Sequence, residues 1–439
     1  MKPRKLLMVE LALCVVVFAC VAGFVVNVLA APPAVAAAPK PADGNAVTDW
    51  NTIAIAAVLV DPGRIRDSRA LAIVQAAVHD AVNAIDRRYQ PYTGNLWAPG
   101  ASLDAAVGAA ARDVLVTLSP KTASTTQAAY EAALSQIPEG PPKATGIAIG
   151  QQSAAATLNR RANDGSANAS NPPYMSTHKP GDYEATPFDA PMPPGVVGLL
   201  PSWGRVQPWG IELDDHKVSG PDPLHSFQYA LDLNYLKAIG SVNSSWRTAE
   251  QTEIAHFWAE GAPAGWNRIA NTVIREKKLA PWKAARILAL VNFAIADSFI
   301  ASFDAKYQFR FWRPSTAIQR AGEDENPLTE PDPNWQPLFS APPYLIPPIP
   351  DYPSNHTVVG AAAAEVLAHF FGDHTRFDAT STSLAGVTRS FRGFTQAAVE
   401  NGLSRAYAGI HFLRAIRDGY HQGRGIGHKI ETLLPPTNN

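Results

Sequence analysis

From residue 45 onward, apolar positions recur mainly at three- and four-residue spacing. In the segment 69–87, Leu71, Val74, Val78 and Val82 share one helical face, and Asp67-Ser68 offer a cap before it. Residues 101–117, 123–137 and 143–162 are alanine-rich and read as helices, as does 226–239. Thr248-x-x-Gln251 forms a capping-box pattern ahead of the helix that carries His256. Residues 281–312 show long apolar periodicity, which Arg313-Pro314 should end, because a residue before proline resists the helical region. Three more helices are expected at 354–371, 385–402 and 411–433. Two-residue alternation is scarce, so the predicted fold class is mainly α: a bundle, or two packed bundles.

Between these helices lie two stretches that cannot be regular. Residues 164–226 are dense in Gly, Pro, Asn and Ser, and 327–353 hold ten prolines in 27 residues. Loops of that length are uncommon unless they serve a site or wrap a core.

Composition narrows the class further. The chain has 439 residues, enough for one large or two to three ordinary domains, and 46% of them are hydrophobic. A net charge of -1 lacks the basic excess of a nucleic-acid binder, and no specific protein partner is signalled. Lys2, Arg4 and Lys5 precede an apolar run from Leu11 to Leu29, followed by an Ala/Pro-rich linker at 31–44. Residues 1–30 read as a secretory signal, or alternatively as an N-terminal membrane anchor, and both place the domain 45–439 outside the cytoplasm. Cys14 and Cys20 both fall in this segment, so the remaining chain has no thiolate for catalysis, metal binding or disulfides.

Candidate chemistry is concentrated between residues 300 and 415. Lys306 and Arg313 are seven residues apart, about 10.5 Å along one face if the helix is continuous. Ser354 is placed to cap a helix whose first-turn N–H groups, including that of Asn355, form an anion site, with His356 over it. Arg405 and His411 would stand about 120° apart on an unbroken helix, so they need a break to converge, and Gly409 can supply it. Three cations, a hydroxyl, a helix N-terminus and two histidines describe a pocket for a multiply charged oxyanion. Crowded cations depress histidine basicity, leaving neutral imidazole able to bind metal or attack phosphorus. Gly423-x-Gly425-x-Gly427 follows no strand and does not read as a dinucleotide loop.

The order K-x6-RP, PS-x-H, SR-x5-H resembles the signature shared by vanadium-dependent haloperoxidases and type 2 phosphatidic-acid phosphatases. RALAIVQAAVHDAVNAIDRRYQPY (69–92) and RTAEQTEIAHFW (247–258) resemble the bacterial haloperoxidase branch. The resemblance implies vanadate as cofactor, coordinated by His411. Lys306, Arg313 and Arg405 would neutralise its oxygens, Ser354 and the Asn355 N–H would hydrogen-bond to them, and His356 would act as acid–base. It further implies peroxide, halide and a small organic acceptor as reactants, with halide oxidised to hypohalous acid. The alternative in the same pocket is an acid phosphatase acting on a phosphate monoester, without vanadate, in which His411 attacks phosphorus and His356 protonates the leaving group. A third reading is an oxyanion binder without turnover. The chain departs from the family pattern at three places. Asn355 stands where glycine is usual, and Ala415 where an acid follows the ligand histidine, so that its partner would come from elsewhere, for instance Asp418. Ile349 stands where the family carries Phe or His according to halide.

Overall fold

The computed structural model describes residues 45–60 and 65–437. The signal or anchor segment, the whole linker, and both cysteines lie outside the described residues. Among those described are thirteen α-helices and one two-stranded sheet. The first group comprises α1 (Ala46–Leu59), α2 (Ile65–Ile85), α3 (Leu103–Leu118), α4 (Ala123–Ser135) and α5 (Pro141–Arg161). After the long excursion come α6 (Phe227–Ile239), α7 (Ala249–Phe257), α8 (Ala262–Glu276), α9 (Pro281–Phe309) and α10 (Pro314–Gln319). The last group is α11 (Asn355–Phe371), α12 (Phe394–Tyr407) and α13 (Leu413–Ile430), with β1 (Phe377–Thr380) and β2 (Thr388–Phe391) between α11 and α12.

The architecture is the predicted mainly-α one. Helix α9 is its axis, packing against α2 of the first bundle and against α11 and α13 of the second. Its 29 residues are long and apolar enough to cross a membrane, yet they are almost wholly buried inside the protein. A helix apolar on every side suits that central position.

Small residues let the second bundle close tightly. A Cβ at Gly423 would lie 2.2 Å from the carbonyl oxygen of Val358, and one at Gly427 would lie 2.7 Å from that of Ala362. The glycine-rich run is therefore a helix-packing face of α13 against α11, holding two candidate segments in fixed register.

The excursion at 164–226 contains only short 3-10 turns and is strapped down at several points. The backbone N–H groups of Trp209 and Gly210 donate to Asp297 on α9 at 2.7 and 2.9 Å. The N–H of Leu199 donates to the carbonyl of Pro348, fastening the excursion to the proline-rich run.

Three expectations need correction. Asp67-Ser68 do not precede a helix but lie inside α2. The helix expected at 385–402 begins only at Phe394, because Thr388–Phe391 pair antiparallel with Phe377–Thr380 around a turn containing Gly386 at φ +84°. Helix α9 stops at Phe309, short of 312, with Arg310 in the left-handed region at φ 55°.

Candidate oxyanion site

The early end of α9 changes how its two cations meet. Lys306 sits in the last turn, whereas Arg313 lies beyond the Arg310 turn at the N-cap of α10. They do not share a continuous helix face. Both are nevertheless fully buried in one place, because the proline-rich run folds over them. Lys306 Nζ donates to the carbonyls of Pro350 and Asp351 at 2.7 and 2.8 Å. Arg313 donates to the carbonyls of Pro347, Ile349 and Ile410 at 2.8–3.0 Å. Burial holds the Lys306 ammonium well below the usual lysine range, and the Arg313 charge adds to that.

Ser354 is the N-cap of α11, as expected, but its hydroxyl makes no capping bond. It accepts instead from Thr357 Oγ1 at 3.0 Å, and its backbone N–H donates to Ala415 on α13. The N–H groups of Asn355 and His356 thus stand at the positive end of a 17-residue helix without a side-chain cap. Asn355 occupies the first helical position and is not among the residues with positive φ, so its backbone takes no conformation that needs glycine. Nε2 of His356 lies 3.0 Å from the carbonyl oxygen of Glu260.

The break between Arg405 and His411 falls where it was expected. Helix α12 ends at Tyr407, Gly409 takes φ +74°, and His411 lies in the connection before α13. A Cβ at residue 409 would lie 2.4 Å from the carbonyl oxygen of Gly240, a second reason for glycine. The connection is pinned by Asp232 on α6, whose carboxylate accepts from the N–H groups of Leu413 and Arg414 at 2.8 Å each. The Arg405 guanidinium lies over the Phe339 ring, 5.4 Å from its centroid.

His411 is buried, and its Nε2 is 3.1 Å from Arg313 Nη1. Burial first, then the charges of Arg313, Lys306 and Arg405, hold its pKa well below the ordinary histidine value, so the ring is neutral at neutral pH. Its carboxylate neighbour is not Asp418, which is held by Tyr352, Arg414 and Arg417. Instead, Asp351 Oδ1 lies 2.8 Å from His411 Nδ1 and 3.9 Å from Arg313 Nη1. This is a close polar contact without hydrogen-bond geometry, since no side-chain hydrogen bond reaches either Asp351 oxygen. Burial pushes the Asp351 carboxyl up to about 7, against the pull of Arg313 and Lys306. Sequence reasoning missed this residue, although it lies three positions before Ser354 in the run PDYPSNH.

The structure therefore brings Lys306, Arg313, Ser354, Asn355, His356, Arg405 and His411 to one neighbourhood. Donors dominate it: three cations, a hydroxyl and two helix N–H groups. Unpartnered acceptors are also present, both Asp351 oxygens and Asn355 Oδ1. An oxyanion that keeps a hydroxyl suits both sets, accepting through its oxygens and donating through its proton. No group of three or more His, Cys, Asp or Glu side chains able to hold a bare cation occurs among the described residues.

The double-bundle fold and the sequence of its second bundle relate the chain to the vanadium haloperoxidases. Residues 286–434 match the family described as VCPO second helical-bundle domain, which contains all seven positions. The vanadium chloroperoxidase of Curvularia inaequalis is 29% identical over 202 residues, covering 39% of this chain. The match spans about a third (32%) of that relative's length. Among solved structures, a bacterial vanadium-dependent iodoperoxidase superposes with a TM-score of 0.75 at 24% identity, covering 92% of this chain and 99% of its own. An apo-type bacterial vanadium-dependent chloroperoxidase reaches 0.67 at 14% identity, covering 84% of this chain and 93% of its own. These superpositions place the fold, over nearly the whole described chain, among the haloperoxidases. Vanadate, a tetrahedral oxyanion that carries hydroxyls, fits the donors and orphaned acceptors of the pocket.

Proposed function

We propose that the protein is an exported vanadate-dependent haloperoxidase that uses hydrogen peroxide to oxidise halide to hypohalous acid. The observation that supports this most directly is the convergence of three buried cations, an uncapped helix N-terminus and a neutral, buried imidazole on one spot. Lys306, Arg313 and Arg405 would hold the vanadate oxygens together with the Ser354 hydroxyl and the Asn355 N–H, while His411 would bind the metal. Bound there, vanadate supplies a Lewis acid that activates peroxide without changing oxidation state. The protein's part is electrostatic: fixed positive charge in a water-poor pocket stabilises oxygen atoms that gain charge. Asp351 Oδ1 stands 2.8 Å from Nδ1 of His411, and Nε2 lies on the side of the Arg313 guanidinium. His356, at the open side of the cluster, moves protons to and from peroxide. The apolar segment 11–29 behind three basic residues supports export.

The test is turnover of iodide, the most easily oxidised of the common halides, by purified protein with peroxide while orthovanadate is titrated. Saturable, vanadate-dependent turnover is expected. His411→Ala should lose bound vanadium by metal analysis while its circular dichroism stays native. Stoichiometric vanadium in that variant would overturn the ligand assignment. A phosphohistidine trapped at residue 411, with no halide turnover, would put the phosphatase chemistry in its place.

A further inference from the structure

Of the seven residues in the cluster, six are buried and His356 alone is half-exposed, so solvent reaches the cluster at His356. The ring of His356 meets the carbonyl of Glu260, and Glu260 forms a wall of a cavity of about 330 Å³. A second wall of that cavity is Tyr344, whose ring stacks on Phe339 at 5.0 Å and 17°. Phe339 is the ring beneath the Arg405 guanidinium. The cavity therefore lies one residue away from the cluster on the side of His356, across Glu260, and two residues away from Arg405, across Tyr344 and Phe339.

We propose that this cavity binds the organic acceptor of the reaction, a neutral one-ring phenol. The inference rests on the haloperoxidase reading and adds a site and a substrate class to it. The volume is near the lower end of the ~300–1,000 Å³ range of small-molecule pockets, which suits one ring with short substituents. Pro263 and Ala264 give it an apolar floor, and Tyr344 offers a face for stacking. Thr382, also on the lining, gives its own hydroxyl proton to Glu260 at 2.8 Å and keeps an oxygen able to accept from the O–H of a neutral phenol, a proton that an anionic ligand lacks. In the acceptor step a ring carbon ortho or para to the hydroxyl attacks the halogen of hypohalous acid. The carbon–halogen bond forms as the halogen–oxygen bond breaks, and the departing hydroxide takes the ring proton and leaves as water. A phenol held across Glu260 from His356 meets hypohalous acid close to where it leaves the cluster, with one ring edge presented to it.

Binding is tested first without vanadate, peroxide or halide, by saturation-transfer NMR with phenol and benzoate as probes. Phenol should bind, with benzoate about tenfold weaker. Tyr344→Ala should weaken phenol about tenfold. Leu59→Trp, at the exposed rim of the cavity, should block it from a position that tolerates substitution. Native melting curves for both variants confirm that folding is intact. During turnover, the ortho-to-para ratio of the halophenol products should differ from that of free hypohalous acid in buffer, and should return to it in Tyr344→Ala. Equal phenol binding in all three proteins, or the free-reagent ratio in the unmutated protein, overturns the proposal. The two readings fail separately: absent phenol binding with intact iodide turnover removes the cavity's role alone. Phenol binding without any halide turnover removes the haloperoxidase reading, and the acceptor role with it.

Discussion

In the first bundle Arg161 is 1% exposed and is paired on the spot with a carboxylate. Its guanidinium lies 3.0 Å from Asp164, which also accepts from Arg69 at 2.6 Å, and it covers the Trp209 ring at 4.3 Å. Burial alone would raise the Asp164 carboxyl, but hydrogen bonds from Arg69 and Ser166 bring it below the usual range. In the second bundle Lys306, Arg313 and Arg405 are equally buried, and Asp351, the carboxylate set against Lys306 and Arg313, takes no side-chain hydrogen bond. There burial wins, lowering Lys306 and His411 and raising Asp351. Buried charge that is balanced holds a fold, whereas buried charge left in excess of one sign identifies where a ligand of the opposite sign belongs.

The comparison breaks first at Arg161. Arg161→Met strips Asp164 of one partner and leaves the carbonyl of Gln207, a 2.6 Å acceptor, without its donor. Removing one member of a buried, hydrogen-bonded pair typically costs about 3–5 kcal/mol. A fall in unfolding free energy of that size, read by urea titration, is expected. A loss below about 1 kcal/mol would mean that the triad is not structural.

The pH dependence of stability separates the two regions next. Asp232, the clamp behind His411, is pushed up to about 7 by burial, against the two N–H bonds it accepts, with Asp222 raising it further and Arg417 opposing. In the folded protein this carboxyl holds its proton between about pH 4 and 7, where the unfolded chain has lost it. Stability from Asp232 is thus present below about pH 4 and lost as pH rises to 7. Asp164 acts in the other sense: its contribution is present above about pH 4 and lost as pH falls through its lowered value. At about 1.4 kcal/mol per pH unit, the Asp232 window amounts to at most roughly 4 kcal/mol. Melting curves from pH 4 to 7 should fall less steeply for Asp232→Asn than for the unmutated protein. Parallel curves would show that Asp232 does not titrate in this window.

What the sequence made legible follows from the range of each interaction. Helices with apolar faces, the capping box at Thr248–Gln251 and the break at Gly409 all depend on residues within a few positions of one another. The convergence of Lys306, Ser354 and His411 was legible through motif order and spacing. The end of α9 was not, because it depends on Arg310, a residue with no intrinsic preference for the left-handed region, held there while its carbonyl accepts from Tyr183. Asp351 was hidden for a similar reason. Its neighbours His411 and Arg313 come from two other segments, and an acid at a fixed offset from His411 was the wrong place to look. The hairpin before α12 was lost because its strands are four residues each, too short for periodicity to show.

The sharpest contrast with Arg161 comes from the variant expected to disturb stability least. Arg405→Met replaces a cation of similar length on a helix that methionine tolerates well. It gives up a cation–ring contact worth about 1 kcal/mol together with the remaining polar contacts of the guanidinium, while relieving repulsion from Lys306 and Arg313. The two terms oppose, so the melting temperature should shift by no more than about 2–4 °C. Oxyanion binding should respond quite differently. A cation within ~4 Å of the anion contributes up to about 4 kcal/mol at an effective dielectric near 20. Loss of Arg405 is therefore expected to weaken orthovanadate by about 100-fold, and the stabilisation that orthovanadate gives the unmutated protein should nearly vanish. Thermal scans with and without orthovanadate read both quantities at once. If Arg405→Met melts as low as Arg161→Met, the charge is structural in both bundles. If it melts normally yet keeps the full orthovanadate shift, Arg405 faces something other than the anion.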